Sequence, residues 1–380
     1  MSTEWRGGGT AGAVAIVVLS LLAGCGPGRA GGGVTPGAQA WTPLVGDRFT
    51  LAFASCLKGH PRRSLYDELA AADPDVLVLL GDNVYADVPV APRGPADFAA
   101  DYAKLAGTPG WRAVTAGRPV FATWDDHDYG VNDGGAGYGL KRVARAAMLD
   151  FFGVPPVDPR RTRDGVYGAW TFGPPGRRTQ LILLDTRWSR GPLTRDPAGR
   201  PRGRGPYVPD AASGSAMLGE AQWVWLERRL REPAELRLIG SSVQVVADEH
   251  GWETWGNLPR ERARLYRLIA DTHAAGVVFI TGDRHLAELS CLPAGDNDDG
   301  PAGRPPYPLY DFTASGFDQK PAAVDEPNAH RVSEVYRGPN FGRVSVDWTC
   351  EPPVVGFRAI GAGGRTLIDH RVLLSDLRAP

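Results

Sequence analysis

Short apolar runs recur along this chain, and several of them break off into acidic or metal-ligating residues. Val76–Leu80 leads into Gly81, Asp82, Asn83, Val84 and Tyr85, and Val277–Thr281 leads into Gly282, Asp283, Arg284 and His285. A run of five apolar residues makes a buried strand, so the polar residues after it must emerge at its carboxyl end, where sites of α/β proteins gather. Similar runs lie at 49–54, 119–123, 181–184 and 236–246, with helix-like stretches between most of them. Such alternation predicts a layered α/β fold. Residues 259–275 set Leu265, Leu268 and Ile269 on one helical face closed by Gly276, and residues 219–231 do the same with Trp223, Leu226 and Leu230, which makes those tryptophans core residues. Residues 343–374 read as closing strands. The stretches 189–216, 293–308 and 319–331 are rich in Gly, Pro and charge without period, and are expected as surface loops able to cover the strand ends and set substrate choice.

At 380 residues and 43% hydrophobic content the chain can bury a large core, enough for one big α/β domain or two smaller ones. The net charge is −1 and lysine occurs only at 58, 104, 141 and 320, so no basic stripe exists and nucleic acid is not an expected partner. The first 25 residues differ in kind. A single Arg6, an apolar run at 11–22 and the sequence Ala23-Gly24-Cys25 resemble a bacterial lipoprotein signal with Cys25 as the lipidated residue, and the run is too short to span a membrane comfortably. Residues 26–40 are expected as a flexible tether and 41–380 as the folded domain of an exported, membrane-anchored protein. Export leaves Cys56, Cys291 and Cys350 in an oxidising compartment. The expectation is a metal-bound Cys56 and a disulfide between Cys291 and Cys350.

Chemistry concentrates at the strand ends. Asp82 and Tyr85 can direct a carboxylate and a phenol at one hard cation. A phenol with a pKa near 10 binds at neutral pH only when a strongly Lewis-acidic ion such as Fe³⁺ lowers it, although a turn after a strand is the commoner reason for such a string. Trp124, Asp125, Asp126, His127 and Asp128 place three carboxylates and an imidazole within five positions, an arrangement that repels itself unless cations are near. Asn132 and Asp133 can add oxygens. Asp283 and His285 would share a side if their strand continued, a pairing suited to a transition metal, while Arg284 could meet phosphate; a structural ion pair is the alternative. Cys56, after the run ending at Ala54, is either a ligand or a buried structural thiol. His250 lies in a Trp-containing segment, and the acidic stretch Asp296-Asn297-Asp298-Asp299-Gly300 lacks the spacing of a calcium loop.

Taken as an ordered set, Phe53-Ala54-Ser55-Cys56, Leu80 to Asp87, Thr123 to Asp128, Ser241-Ser242-Val243-Gln244 and Thr281 to His285 resemble the PhoD-like alkaline phosphatases, relatives of the purple acid phosphatases among calcineurin-like metallophosphoesterases. The resemblance implies a four-layer α-β-β-α sandwich with its site at the strand ends and hydrolysis of phosphate monoesters or diesters. It also implies Fe³⁺ held by Tyr85 and Cys56, with Ca²⁺ beside it. Asp82 would bridge the ions, Asp126, Asp283 and His285 would be ligands, and His127 would face the substrate. The Asp-x-His pair that opens ordinary metallophosphoesterases is missing, Asp126 stands where the wider family usually has Asn, and the amino-terminal β-domain of many relatives is not expected. A non-catalytic lipoprotein that captures a phosphorylated or metal-bound ligand is the rival reading.

Overall fold

The computed structural model describes residues 46–59, 65–199, 203–212, 214–295, 305–320 and 326–379; the expected signal, the lipidated Cys25 and the tether lie outside them, as does the acidic stretch 296–300. Alternation along the first strand, β1 (Arg48–Ala54), decides the layering. Leu51 and Phe53 join one apolar cluster, whereas Ala52 and Ala54 join another on the opposite face. The parallel neighbours β2 (Val76–Leu80) and β3 (Val120–Thr123) divide in the same way. This sheet has the order β12-β11-β10-β1-β2-β3, where β10 (Asn340–Asp347), β11 (Val354–Gly361) and β12 (Thr366–Leu373) are the expected closing strands, paired antiparallel.

The second sheet, in the order β4-β5-β6-β7-β9-β8, contains β4 (Gly168–Phe172), β5 (Thr179–Leu183), β6 (Leu236–Ser241), β7 (Val277–Thr281), β8 (Ala287–Leu292) and β9 (Leu309–Ala314). The strands β5, β6, β7 and β9 are parallel. Inner faces of the two sheets meet through Phe53 edge-on to Phe312 at 5.3 Å and Phe49 stacked on Phe172 at 5.3 Å, contacts worth roughly 0.5–1.5 kcal/mol each beyond their buried area. Helices α1 (Tyr66–Ala71), α2 (Pro95–Gly107), α3 (Pro109–Thr115) and α5 (Lys141–Phe151) cover β1 to β3. A four-residue turn of helix, α4 (Asp126–Tyr129), follows β3. Helices α6 (Glu220–Leu230) and α7 (Pro259–Asp271) cover the second sheet, with Trp223, Leu226 and Leu265 buried as the periodicity predicts. The four layers α-β-β-α are therefore those expected.

Two expectations need correction. The run 236–246 is not one strand: β6 ends at Ser241, and the amides of Val245 and Val246 donate to the Asp311 carboxylate at 2.7 and 2.9 Å instead of to a neighbouring strand. Cys291 and Cys350 do not pair. Cys291 lies on β8 of one sheet and Cys350 follows β10 of the other, and both are free thiols, because these positions in separate sheets do not bring their β-carbons to bridging distance. Among the described residues no helix is long and apolar enough to cross a membrane.

Candidate functional site

Parallel strands of both sheets end on the same side, and the chain must turn sharply there. Cys56, Asp82, Asp133, Asp283 and His285 all adopt positive φ, between 50° and 66°, a conformation costing roughly 1–2 kcal/mol for a residue with a β-carbon. Such strain persists where surrounding structure imposes it, and it clusters at functional sites. The expected continuation of β7 through Asp283 and His285 is thus absent; the strand ends at Thr281, and left-handed turns, not strand alternation, orient the two side chains. The glycines of the two Gly-Asp pairs permit the crowding. At Gly81, with φ of 104°, a β-carbon would lie 2.4 Å from that of Asp125. At Gly282 it would lie 2.8 Å from Ser55 Oγ and 2.9 Å from the Ser242 carbonyl.

Among the described residues three groups of ligand atoms result, each within 4.8 Å: Cys56, Asp82 and His285; Asp82, Asp126 and His127; and Asp126, Asp133 and Glu253. Asp82 belongs to the first two and Asp126 to the last two, so the groups form a chain. Burial drives the electrostatics. It pushes the Cys56 thiol well up, with Asp82 and Asp283 adding to the effect. The Tyr85 phenol is raised by burial and then by Cys56 and Asp82. Asp82 is raised by burial and by Asp126, and Asp283 chiefly by burial. For Asp126 burial is outweighed by Arg187, His127 and the Asp133 amide, which donates to it at 2.8 Å, and the carboxyl is held below its usual range. His285 is pushed down to about 4 by burial and Arg284, leaving a neutral imidazole of the kind that ligates metals. A thiol, a phenol and several carboxylates facing one another, offset only in part by Arg187 and Arg284, fit cations: the soft and phenolic donors suit a ferric ion, and the oxygens around Asp126 suit a hard divalent one.

His127 is shaped differently. Its Nδ1 lies 2.7 Å from Asp87 Oδ1, and its ring packs at 4.2 Å on that of Tyr85. Burial lowers its pKa, but the Asp87 hydrogen bond and then Asp126 outweigh this and lift it to about 9. Tyr85 is fixed from the other side by Gln319, whose amide donates to the phenol at 2.7 Å, and Lys58 Nζ lies 5.0 Å over its ring.

The acidic cluster after β3 separates by role. Asp128 accepts from the amides of Asn83 and Asp125 at 2.9 and 3.0 Å and ties two strand ends together; its carboxyl is nevertheless raised to about 7 by burial. Asp125 accepts from Arg187 Nε and Ser242 Oγ, both at 2.6 Å. The Arg187 side chain is fully buried and also pairs with Glu253 at 2.6 Å, and Arg190 meets Glu253 at 2.9 Å. Arg284 is committed to Glu326 and to Asp283 and rests 4.8 Å over the Trp252 ring, so a phosphate at that guanidinium would compete with Glu326. His250 is buried, accepts from the Trp252 amide at 3.0 Å, and belongs to none of the ligand groups.

Sequence reasoning did not reach Arg187, Glu253 or the role of Asp87. The first had a signal, since Asp185-Thr186-Arg187 follows the apolar run 181–184 as the other clusters follow theirs. Glu253 had none, because it sits in a loop without period.

Fold and site together define an α/β sandwich of the metallophosphoesterase type. The sequence model of the family described as PhoD-like phosphatase matches residues 51–305, more than half of the chain, and the chain belongs to that family. Alkaline phosphatase D of Bacillus subtilis (strain 168) is 23% identical over 281 residues, which are 64% of this chain and 47% of that protein; the chain spans about half the length of this curated relative. The solved structure of PhoD matches with a TM-score of 0.65 at 17% identity, over 87% of this chain and 69% of that one. Purple acid phosphatase PPD1 from yellow lupin (Lupinus luteus) seeds matches at 0.55 and 10% identity, over 86% and 54%. GAP50, described as the anchor in the inner membrane complex of Plasmodium, matches at 0.52 and 11% identity, over 86% and 89%. Likeness at these identities speaks for the fold alone.

Proposed function

We propose that this chain is a metal-dependent hydrolase of phosphate monoesters, diesters or both, exported and held at a membrane by a lipid on Cys25. The observation that carries the reading is Asp82, shared between a group with Cys56 and His285 and a group with Asp126 and His127, the arrangement needed to hold two ions side by side. Cys56, Tyr85 and Asp82 would hold Fe³⁺, with Asp283 and His285 completing the far side, and Asp126 and Asp133 would hold Ca²⁺. Cations held there supply positive charge to the phosphoryl oxygens and to the attacking water. His127, oriented by Asp87 at 2.7 Å, donates a hydrogen bond or a proton to the leaving oxygen. Arg284 adds charge at the rim while holding Asp283 in place. Gln319 holds the phenol of Tyr85 through its hydroxyl, and Lys58 lies over the ring.

Metal analysis of the natively purified protein, with parallel monoester and diester assays, tests this reading. Iron bound to Tyr85 gives a visible charge-transfer band that Tyr85→Phe removes, and Asp82→Ala or His285→Ala abolishes turnover without unfolding the protein. A colourless protein that hydrolyses neither ester identifies a ligand-binding lipoprotein instead. Cys25→Ser moves the protein from the membrane to the soluble fraction if the lipid anchor is right.

A further inference from the structure

The helical layer on the first sheet reaches Phe341 and Ile360 at one end of β10 and β11, and among the described residues no helix covers the rest of that outer face, from Arg343 and Arg358 onward. Side chains there lie in rows set by register. Arg343 stands directly opposite Arg358, and in the next row Ser345 stands opposite Gly356, which stands opposite Arg371. Like charges directly across an antiparallel pair are destabilising, yet nothing neutralises this pair in full. Arg358 is paired with Asp369 at 2.8 Å and Arg48 with Asp347 at 2.8 Å. Arg343 forms no salt bridge among the described residues; its one hydrogen bond is a 3.4 Å contact to Thr50 Oγ1, and its buried Nε has no acceptor. The nearby Asp75 carboxylate, which accepts from the Thr50 amide at 2.7 Å, offsets part of the Arg343 charge. Gly356 makes the floor concave: a β-carbon there would lie 3.1 Å from Ser345 Oγ. The result is a hollow of about 330 Å³ lined by Arg48, Arg343, Arg358 and Arg371 against Asp347 and Asp369, two positive charges in excess. Its size falls at the lower end of the ~300–1,000 Å³ range of small-molecule sites.

We propose that this hollow binds a small tetrahedral oxyanion of the phosphate class, bridging Arg343 and Arg358 above the Gly356 floor, as a non-catalytic site separate from the strand-end metal groups. Arginine forks match such oxygens, and one oxyanion held by the exposed ends of the two guanidinium groups would offset the Arg343–Arg358 repulsion. The hollow admits a free anion more readily than a headgroup in a flat bilayer, because Arg343 is half-buried below the rim.

Calorimetric titration of the metal-loaded full chain with inorganic phosphate tests the assignment, alongside phosphate inhibition of turnover and co-sedimentation with phosphatidylglycerol vesicles. The expected result is a class of phosphate sites whose affinity falls about tenfold in Arg343→Gln, with turnover and its inhibition by phosphate unchanged. Asp82→Asn should leave that class in place, so a failure of the hydrolase reading would not remove it. Ser345→Asp puts a covalent anion into the hollow; it should raise the melting temperature without phosphate and abolish the same class. Phosphate binding that is identical in wild type, Arg343→Gln and Ser345→Asp overturns the proposal, as does vesicle binding lost in Arg343→Gln without any phosphate effect.

Discussion

Asp82 is poorly stabilised in the cation-free protein, where its carboxylate accepts from the His127 amide at 3.3 Å and from the Cys56 thiol at 3.6 Å. It is buried, held at positive φ and surrounded by other carboxylates that raise its pKa. Replacing it by Asn removes the charge while keeping the shape, so Asp82→Asn should abolish metal binding and turnover yet raise the denaturation midpoint of the metal-free protein, the usual exchange of function for stability. Equal or lower stability would show that the raised carboxyl is not a strain on the fold. Cys56, with φ of 62°, allows a second test at this scale. Cys56→Gly should be about 1 kcal/mol more stable than Cys56→Ala in denaturant titration, because only glycine occupies this conformation without steric cost. These positions were legible in the sequence because each follows an apolar run; their backbone conformation was not, since a left-handed turn at Cys, Asp or His has no sequence signature of the kind that glycine gives. The same blindness left open whether the strand continues through Asp283 and His285.

At the scale of elements, the strand ends are held together by buried charge and by missing β-carbons. Arg187, after β5, joins Asp125 after β3 to Glu253 in the loop that follows β6. Removing one partner of a buried ion pair leaves the others uncompensated, at roughly 3–5 kcal/mol. Arg187→Ala should therefore destabilise the protein by about that much and weaken metal binding through a displaced Asp126, measurable by denaturant titration and by competition with a chelator. Gly81→Ala should be comparably harmful, since its β-carbon would enter the space of the Asp125 side chain and of the Trp124 and Asp125 backbone, where overpacking alone costs roughly 1–3 kcal/mol and the positive φ adds to it. A midpoint unchanged in either variant would mean that the strand ends can separate without loss. Strand existence and type were readable from five-residue apolar runs, whereas the end of β6 was not: Val243, Val245 and Val246 extend its apolar character, and distant groups draw the backbone out of the ladder, the Asp311 carboxylate on β9 taking the amides of Val245 and Val246 and the Trp255 amide the carbonyl of Gln244. Long-range partners of this sort leave no local trace, which is also why Glu253 went unseen.

For the molecule as a whole, the sandwich exists at some electrostatic cost when no cation is bound. Asp82, Asp125 and Asp283 are raised by burial, and Asp128 and Glu253 are raised by burial to about 7; Asp126, held low, opposes them. A carboxyl whose pKa is higher folded than unfolded binds more protons in the native state, so the unfolding free energy falls as pH rises from the ordinary carboxylate range, near 4, through the folded values. The chelated protein should accordingly melt higher at pH 6 than at pH 8. With cations bound the same carboxylates are held ionised, protons are no longer taken up on folding, and the slope should flatten or reverse, because metal ligation favours the deprotonated ligand. Paired melting curves across this range, with and without chelator, decide the matter. If both forms share one slope, then the crowded acids at the strand ends are balanced by the buried arginines alone and call for no cation, while the fold, which rests on the inter-sheet aromatic core, stands as before.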